Sequence, residues 1–215
     1  MKNLIKLFFV IVVFTMSMQS FAQRAGIIAG LNLSNLLVKI DDTKLSDDYK
    51  MNPGIHLGLV VEIPVYKFLS LETGLIVSTK GYKEESIVEK DNMYLFYLDL
   101  PITIKGTLDL KAVKLYAAVG PYLGLGVYGF TKNTIIATDN VSTEETKWGS
   151  DKTDGLKRFD MGLTFGGGIE IGAVPIFLGV SYDLGLINMS PNSDLITCNN
   201  RVLKISLGCK FGGRK

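Results

Sequence analysis

The 215-residue chain contains two cysteines, one histidine and one tryptophan. Cys198 and Cys209 are 11 positions apart. If strand joins them, at about 3.3 Å per residue, they are too far apart to bridge, so no disulfide is expected. Charge of one sign is also missing. Residues 1–22 carry Lys2 and Lys6 and no acid, and without them 21 basic side chains face 21 acidic ones. A neutral chain has no bulk attraction for nucleic acid, so no nucleic-acid partner is expected. Outside the first 22 residues no window approaches 18 consecutive apolar residues, which excludes spanning helices, yet the mean hydropathy of +0.26 is high for a soluble protein.

The first 22 residues read as an export signal. Lys2 and Lys6 supply the positive start, Leu7 to Met18 a short apolar stretch, and Ser20-Phe21-Ala22 the small residues a signal peptidase reads, so the mature chain begins at Gln23. No cysteine follows the cut, and no lipid anchor is expected. The expected division is a signal helix over 1–22 and one domain over 23–215.

From Arg24 onward the dominant pattern is a period of two, the signature of strands with chemically different faces. Ala25, Ile27, Ala29, Leu31 and Leu33 alternate with Gly26, Ile28, Gly30, Asn32 and Ser34. Tyr94, Phe96, Leu98, Leu100, Ile102 and Ile104 alternate with Tyr97, Asp99, Pro101, Thr103 and Lys105. Six further segments repeat the pattern, which predicts eight strands. Long polar connections at 35–53, 82–92, 131–156 and 189–200 alternate with short ones at 66–68, 106–112 and 173–175. Four long loops at one end and tight turns at the other is the sidedness of an outer-membrane barrel, with both termini on the periplasmic turn side.

Charge placement decides which face is inside. One face of nearly every strand is aliphatic or aromatic. The other carries Glu62, Glu72, Asp99, Asp160, Glu170 and Asp183 with Lys80, Lys105, Lys114, Arg158, Lys204 and Lys210, among glycine, serine and threonine. Charges balanced in sign cannot form an apolar core, but they can line a closed barrel whose outside touches lipid. The expected fold is therefore all-β: an eight-stranded antiparallel up-and-down transmembrane barrel, its lumen filled by this charge network.

Other motifs have plain readings. Gly166, Gly167 and Gly168 lie on an alternating strand; Ile171 stands where a dinucleotide fingerprint needs glycine, and no helix follows, so no phosphate loop is expected. The acidic pairs Asp41-Asp42, Asp47-Asp48, Glu84-Glu85 and Glu144-Glu145 lack the spacing of a calcium loop and read as solvated; no metal or cofactor is expected. Tyr66, Phe68, Tyr82, Tyr94, Phe96, Phe130, Phe159 and Phe211 fall near strand ends and suggest interfacial girdles, whereas Trp148 lies in a loop. His56 is expected at the outer rim with Ser34 beside it, the pair that a rim hydrolase would use; no G-x-S-x-G motif accompanies it, and the leading expectation is no enzyme activity.

Tyr97-Leu-Asp-Leu-Pro-Ile-Thr-Ile-Lys105 resembles the "Y-L-x-L-P-x-x-x-K" strand of the PorT-like outer-membrane β-barrel proteins of Bacteroidetes. Gly120-Pro-Tyr-Leu-Gly-Leu-Gly126, Asp160-Met-Gly-Leu-Thr-Phe-Gly-Gly-Gly168 and Gly179-Val-Ser-Tyr-Asp-Leu-Gly185 are similar to its later strands, and AGIIAGLNLSNL to its first. The C-terminal aromatic read by the barrel-assembly machinery appears as Phe211, followed by Gly-Gly-Arg-Lys. The resemblance implies an integral outer-membrane protein and, for the namesake, a part in protein secretion. Three functions are weighed: an envelope structural or interaction component acting through its long loops, an accessory of secretion or transport, and a hydrolase using His56. The partners expected are outer-membrane lipid, the assembly machinery during insertion, and envelope or secretion proteins.

Overall fold

The computed structural model describes residues 23–40, 43–44, 49–86, 88–171, 175–193 and 195–212. The signal segment and the pairs Asp41-Asp42 and Asp47-Asp48 lie outside the described residues. Eight strands build the wall: β1 (Arg24–Ile40), β2 (Asn52–Tyr66), β3 (Leu69–Lys80), β4 (Glu89–Asp109), β5 (Val113–Ile135), β6 (Phe159–Ile171), β7 (Ile176–Gly185) and β8 (Ile196–Phe211). Each pairs antiparallel with its neighbour in sequence, and β1 pairs with β8 from Ala25↔Phe211 to Ile40↔Ile196, which closes the ring. Closure removes the unpaired edges that would cost several kcal/mol per backbone group in hydrocarbon.

Alternation decides the faces. Along β1, Ile27 and Leu31 point outward and are more than half exposed, whereas Gly26, Asn32 and Ser34 are buried. The outward row continues through Ile55, Leu57 and Leu59 on β2, Ile104 on β4, Val119 on β5 and Leu207 on β8. In water this apolar belt would be a liability; against lipid it is the solvated surface.

The strands run further into the connections than alternation predicts. β1 continues to Ile40, β4 starts at Glu89, and β5 extends to Ile135. Short strands at Tyr49–Lys50, Lys83–Glu85 and Asn140–Glu145 add to them. The result is a five-stranded sheet beyond the aromatic belt, in the order Tyr49–Lys50, Lys83–Glu85, β4, β5, Asn140–Glu145. Water bathes both of its faces, so polar residues occupy both and no period of two marks it. At the opposite end the turn between β4 and β5 is tight: Lys111 has φ 70°, and its backbone N–H is held by Asp109 Oδ1 at 3.0 Å.

Candidate functional site

The lumen holds two ion clusters. At the turn end, strand parity sends Glu62 (β2), Glu72 (β3) and Glu170 (β6) inward against Arg24 (β1), Lys105 (β4) and Lys210 (β8). Lys105 Nζ donates to Glu62 Oε2 at 3.0 Å and also pairs with Glu170. Lys210 Nζ lies 2.8 Å from Glu62 Oε2 and pairs with Glu72 as well. Arg24 Nη1 donates to Glu170 Oε2 at 2.8 Å. Three acids and three bases cancel, and two of the ammonium groups also lie over rings: Lys105 Nζ is 4.3 Å from the Tyr116 centroid and Lys210 Nζ 4.8 Å from that of Phe177.

The second cluster lies nearer the loops. Lys80 Nζ is 2.9 Å from Asp99 Oδ1 and 3.1 Å from Asp160 Oδ2, between the rings of Tyr97 and Tyr122. Lys204 Nζ is 2.6 Å from Asp183 Oδ2 and 3.4 Å from Asp99 Oδ2. Three carboxylates here meet two ammonium groups, and neutral donors supply the difference. The Tyr122 hydroxyl (3.0 Å) and Asn200 Nδ2 (2.7 Å) donate to Asp160 Oδ2, and the Thr164 hydroxyl donates to Asp183 Oδ1 at 2.7 Å.

Two of the charges expected in the lumen join neither cluster. Lys114 pairs with Asp109 at 3.2 Å at the turn-end rim, where both are partly exposed. Arg158 is exposed, donates to the Gly126 carbonyl at 3.1 Å and lies over the Trp148 ring. Each sits where its strand leaves the wall, so parity alone does not make it a lining residue. Arg24, absent from the expectation, has the same parity as Gly26 and could have been found by extending the alternation one step toward the N-terminus.

His56 is also relocated. It is 2 % exposed within the lumen, and Ser34 is not its partner, since the Ser34 hydroxyl donates to the Asn52 carbonyl at 3.1 Å. Asn32 Nδ2 donates to the carbonyls of Ile55 and Thr79, which leaves its Oδ1 as the acceptor for His56 Nδ1–H at 2.7 Å. In the neutral ring Nε2 then accepts from the Ser206 hydroxyl, 3.0 Å away across the β1–β8 seam. Gly30 makes room: a methyl there would come within 2.6 Å of the imidazole. Hydroxyl, imidazole and amide thus line up in a row, beside a cavity of about 90 Å³ between the two ion clusters. That volume has room for about six to nine water molecules, at roughly 10–15 Å³ of probe volume each.

Above the second cluster the interior changes character. Leu36, Leu95, Tyr97, Leu156, Met189 and Cys198 form a buried apolar plug, with Val38, Tyr82, Met93 and Trp148 packed on it. Tyr82 therefore belongs to the plug rather than to the outer girdle. Trp148 reaches it from the connection after Asn140–Glu145, edge-on to Tyr97 at 5.8 Å and over Gly126, where a methyl would come within 2.5 Å of the indole. Sequence reasoning missed Leu156, Met189 and Trp148, which stand alone in polar stretches; a single apolar residue has no period to read. Phe96, Tyr128 and Phe130 stack outside at the same level, with Tyr94 against Phe130 at 5.3 Å. Tyr66 and Phe68 meet edge-on at the turn end. Both cysteines are free. Among the described residues no group of three or more His, Cys, Asp or Glu side chains is arranged to hold a metal ion.

A closed antiparallel ring with an apolar outside and a charged inside defines a membrane-spanning β-barrel protein. The family model described as "Outer membrane protein beta-barrel domain" matches residues 19–190. The chain belongs to this outer-membrane β-barrel family. No curated protein matches the chain. Among solved structures it is similar to Ail, the attachment invasion locus protein of Yersinia pestis, at 15% identity over 89% of this chain and 100% of that one, with a TM-score of 0.44. It is also similar to Neisserial surface protein A, at 12% identity over 89% of this chain and 97% of that one, with a TM-score of 0.45.

Proposed function

We propose that the chain is a non-enzymatic barrel that serves the cell envelope as a structural or interaction component through its loop end. One observation carries this reading: the lumen is obstructed along its axis by two ion clusters and an apolar plug, while β4 and β5 extend a broad polar sheet past the aromatic belt. A sealed lumen leaves the exposed sheet as the working surface. In this reading the loops are extracellular and both termini periplasmic, residues 1–22 are removed on export, and residues 23–215 form the mature barrel. Its partners are membrane lipid, the barrel-assembly machinery during insertion, and envelope proteins.

The PorT-like strands favour a second reading, an accessory of protein secretion or transport, which requires stable partners. Purification of the tagged protein in mild detergent from its own outer membrane separates the two. A stoichiometric set of secretion proteins supports the accessory role, and a lone heat-modifiable barrel supports the solitary one. Planar-bilayer recording tests the sealed lumen, and steady conductance by the native protein would overturn it.

The hydrolase reading has its hydroxyl and its base in Ser206 and His56, but both are buried between ion clusters, beside a cavity of about 90 Å³ that is too small for a lipid or peptide. A fluorophosphonate probe is expected to leave Ser206 unlabelled. Labelling that is lost in His56→Ala would restore that reading.

A further inference from the structure

Ladder partners share a face, so the register of the loop-end sheet sorts its charges. The rings of Tyr94 and Phe130, paired with each other, mark the outer face. Two positions beyond them Asn92 stands opposite Lys132, Lys83 opposite Asn92, and Lys50 opposite Lys83, which makes one outward row across four strands. The next outward row carries Glu85 and Lys90. Glu84, Glu89, Asp91 and Glu144 take the alternate positions, on the face continuous with the lumen. Every lysine of the sheet is therefore on one face, and four of its six acids are on the other. Solubility alone does not sort charges by sign. On the outer face Glu85 holds Lys50 and Lys83 at 2.5 and 2.8 Å, and Glu145 accepts from the Tyr128 hydroxyl at 3.4 Å. Lys90 and Lys132 are exposed and enter no ion pair among the described residues.

We infer that this basic face docks on the phosphate groups of the lipid that surrounds the barrel. The face is continuous with the lipid-facing wall, since Tyr94 and Phe130 lie on the same two strands as Asn92 and Lys132. The lysine row stands about 7 Å beyond those rings, at two residues of about 3.4 Å each. Aromatic rings settle at the level of lipid head groups, so the row above them meets that hydrated layer. A lysine stem can lie along the rings while its ammonium group stays among water and phosphate. Charge complementarity selects the lipid: an anionic phosphate head group gains from the lysines, and a zwitterionic one gains little. The inference rests on the reading of the loop end as the working surface and names the lipid chemistry it meets. Its test uses the purified barrel, so its failure leaves the co-purification result as it stands.

The mature barrel in non-ionic detergent is titrated at low salt with dihexanoyl phosphatidic acid and with dihexanoyl phosphatidylcholine, and its amide shifts are followed by NMR. Saturable shifts are expected at Lys90, Asn92 and Lys132, with phosphatidic acid about tenfold tighter, since each uncompensated lysine near an anionic head group contributes a few-fold. Lys90→Gln with Lys132→Gln, which leaves both Glu85 pairs intact, should remove most of that preference. Adding Lys50→Gln and Lys83→Gln should bring the two lipids to equal affinity, with heat modifiability as the check that the barrel is folded. Inorganic phosphate, which has no chains to seat on the rings, should cause no saturable shift over the same range. Equal affinity of the native protein for the two lipids, a preference unchanged in the variants, or inorganic phosphate bound as tightly as phosphatidic acid would each overturn the inference.

Discussion

Followed along a single strand, the interior of this barrel changes its chemistry. On β1 the inward row runs Asn32, Ser34, then Leu36 and Val38; on β4, read the other way, it runs Lys105, Thr103, Asp99, then Tyr97 and Leu95; on β8, Lys210, Ser206, Lys204, Val202, Asn200, then Cys198. Below the changeover the inside is ionic and the outside apolar. Above it the inside is apolar, and the outside passes from an aromatic belt to polar strand. The stacked rings of Phe96, Tyr128 and Phe130 lie on the outer surface at the same level. One rule explains both halves: the face away from the solvent must satisfy itself, by charge pairing where the outer solvent is lipid and by apolar packing where it is water.

The largest test of this contrast is in the ionic half. Lys105→Met leaves Glu62 and Glu170 short of a buried partner and is expected to cost about 3–5 kcal/mol, read from urea unfolding in lipid vesicles. Adding Glu170→Gln should recover a large part of that loss. A double variant as unstable as the single one would mean that packing around Lys105, not charge, holds this layer. In the apolar half Leu156→Ala should cost about 2–4 kcal/mol, but locally. Hydrogen exchange should rise through residues 146–158 while the protection of β6 and β7 stays unchanged; a uniform rise would erase the distinction between the halves.

How much of this was legible in the sequence follows the same boundary. Where lipid lies outside, apolar and polar residues alternate strictly, so the inward placement of Asp99, Lys105 and Lys204 could be read directly. Beyond the plug, where water lies on both sides, the sheet formed by Glu89–Asn92, Thr131–Asn133 and Asn140–Glu145 is polar on both faces, and nothing separates it from a loop. The cross-barrel partners were hidden for another reason. Parity states that His56 and Ser206 both point inward, but only the stagger of β2, β1 and β8 brings them to the same height, through Gly30↔His56 and Gly30↔Ser206. Ser34, four residues further along β1, is raised out of reach.

A smaller effect is expected at that junction. Ser206→Ala removes one buried hydrogen bond and should cost about 1 kcal/mol, with Gly30→Ala costing more because its methyl meets the Ile205 carbonyl oxygen as well as the imidazole. The reverse order in thermal unfolding would show that the wall bends freely at Gly30. Trp148→Ala, which removes an edge contact with Tyr97 and the cover over Arg158, should destabilise the plug without changing the midpoint of the ionic half.

The smallest effect lies outside the membrane. Lys50, 2.5 Å away, and Lys83 hold the Glu85 carboxyl down to about 2 from its ordinary 4.5. A depressed acid stabilises the folded form above its unfolded value and loses that contribution as pH falls through the folded one. Protection of the Lys83–Glu85 pairing to β4 should therefore persist at pH 5 and fade toward pH 2. In Glu85→Gln this pH dependence should vanish, which carboxyl and amide NMR titration would register.

The β1–β8 seam also dictates an order of events. Glu62 is complete only when Lys210 arrives from 148 positions later in the chain, and Arg24 waits nearly as long for Glu170, at a separation of 146. Until the last strand docks, an inserting chain carries unneutralised carboxylates and two raw backbone edges, none of which hydrocarbon tolerates. The lumen's charges are fully paired only once β8 has docked on β1, which makes the last strand the latch.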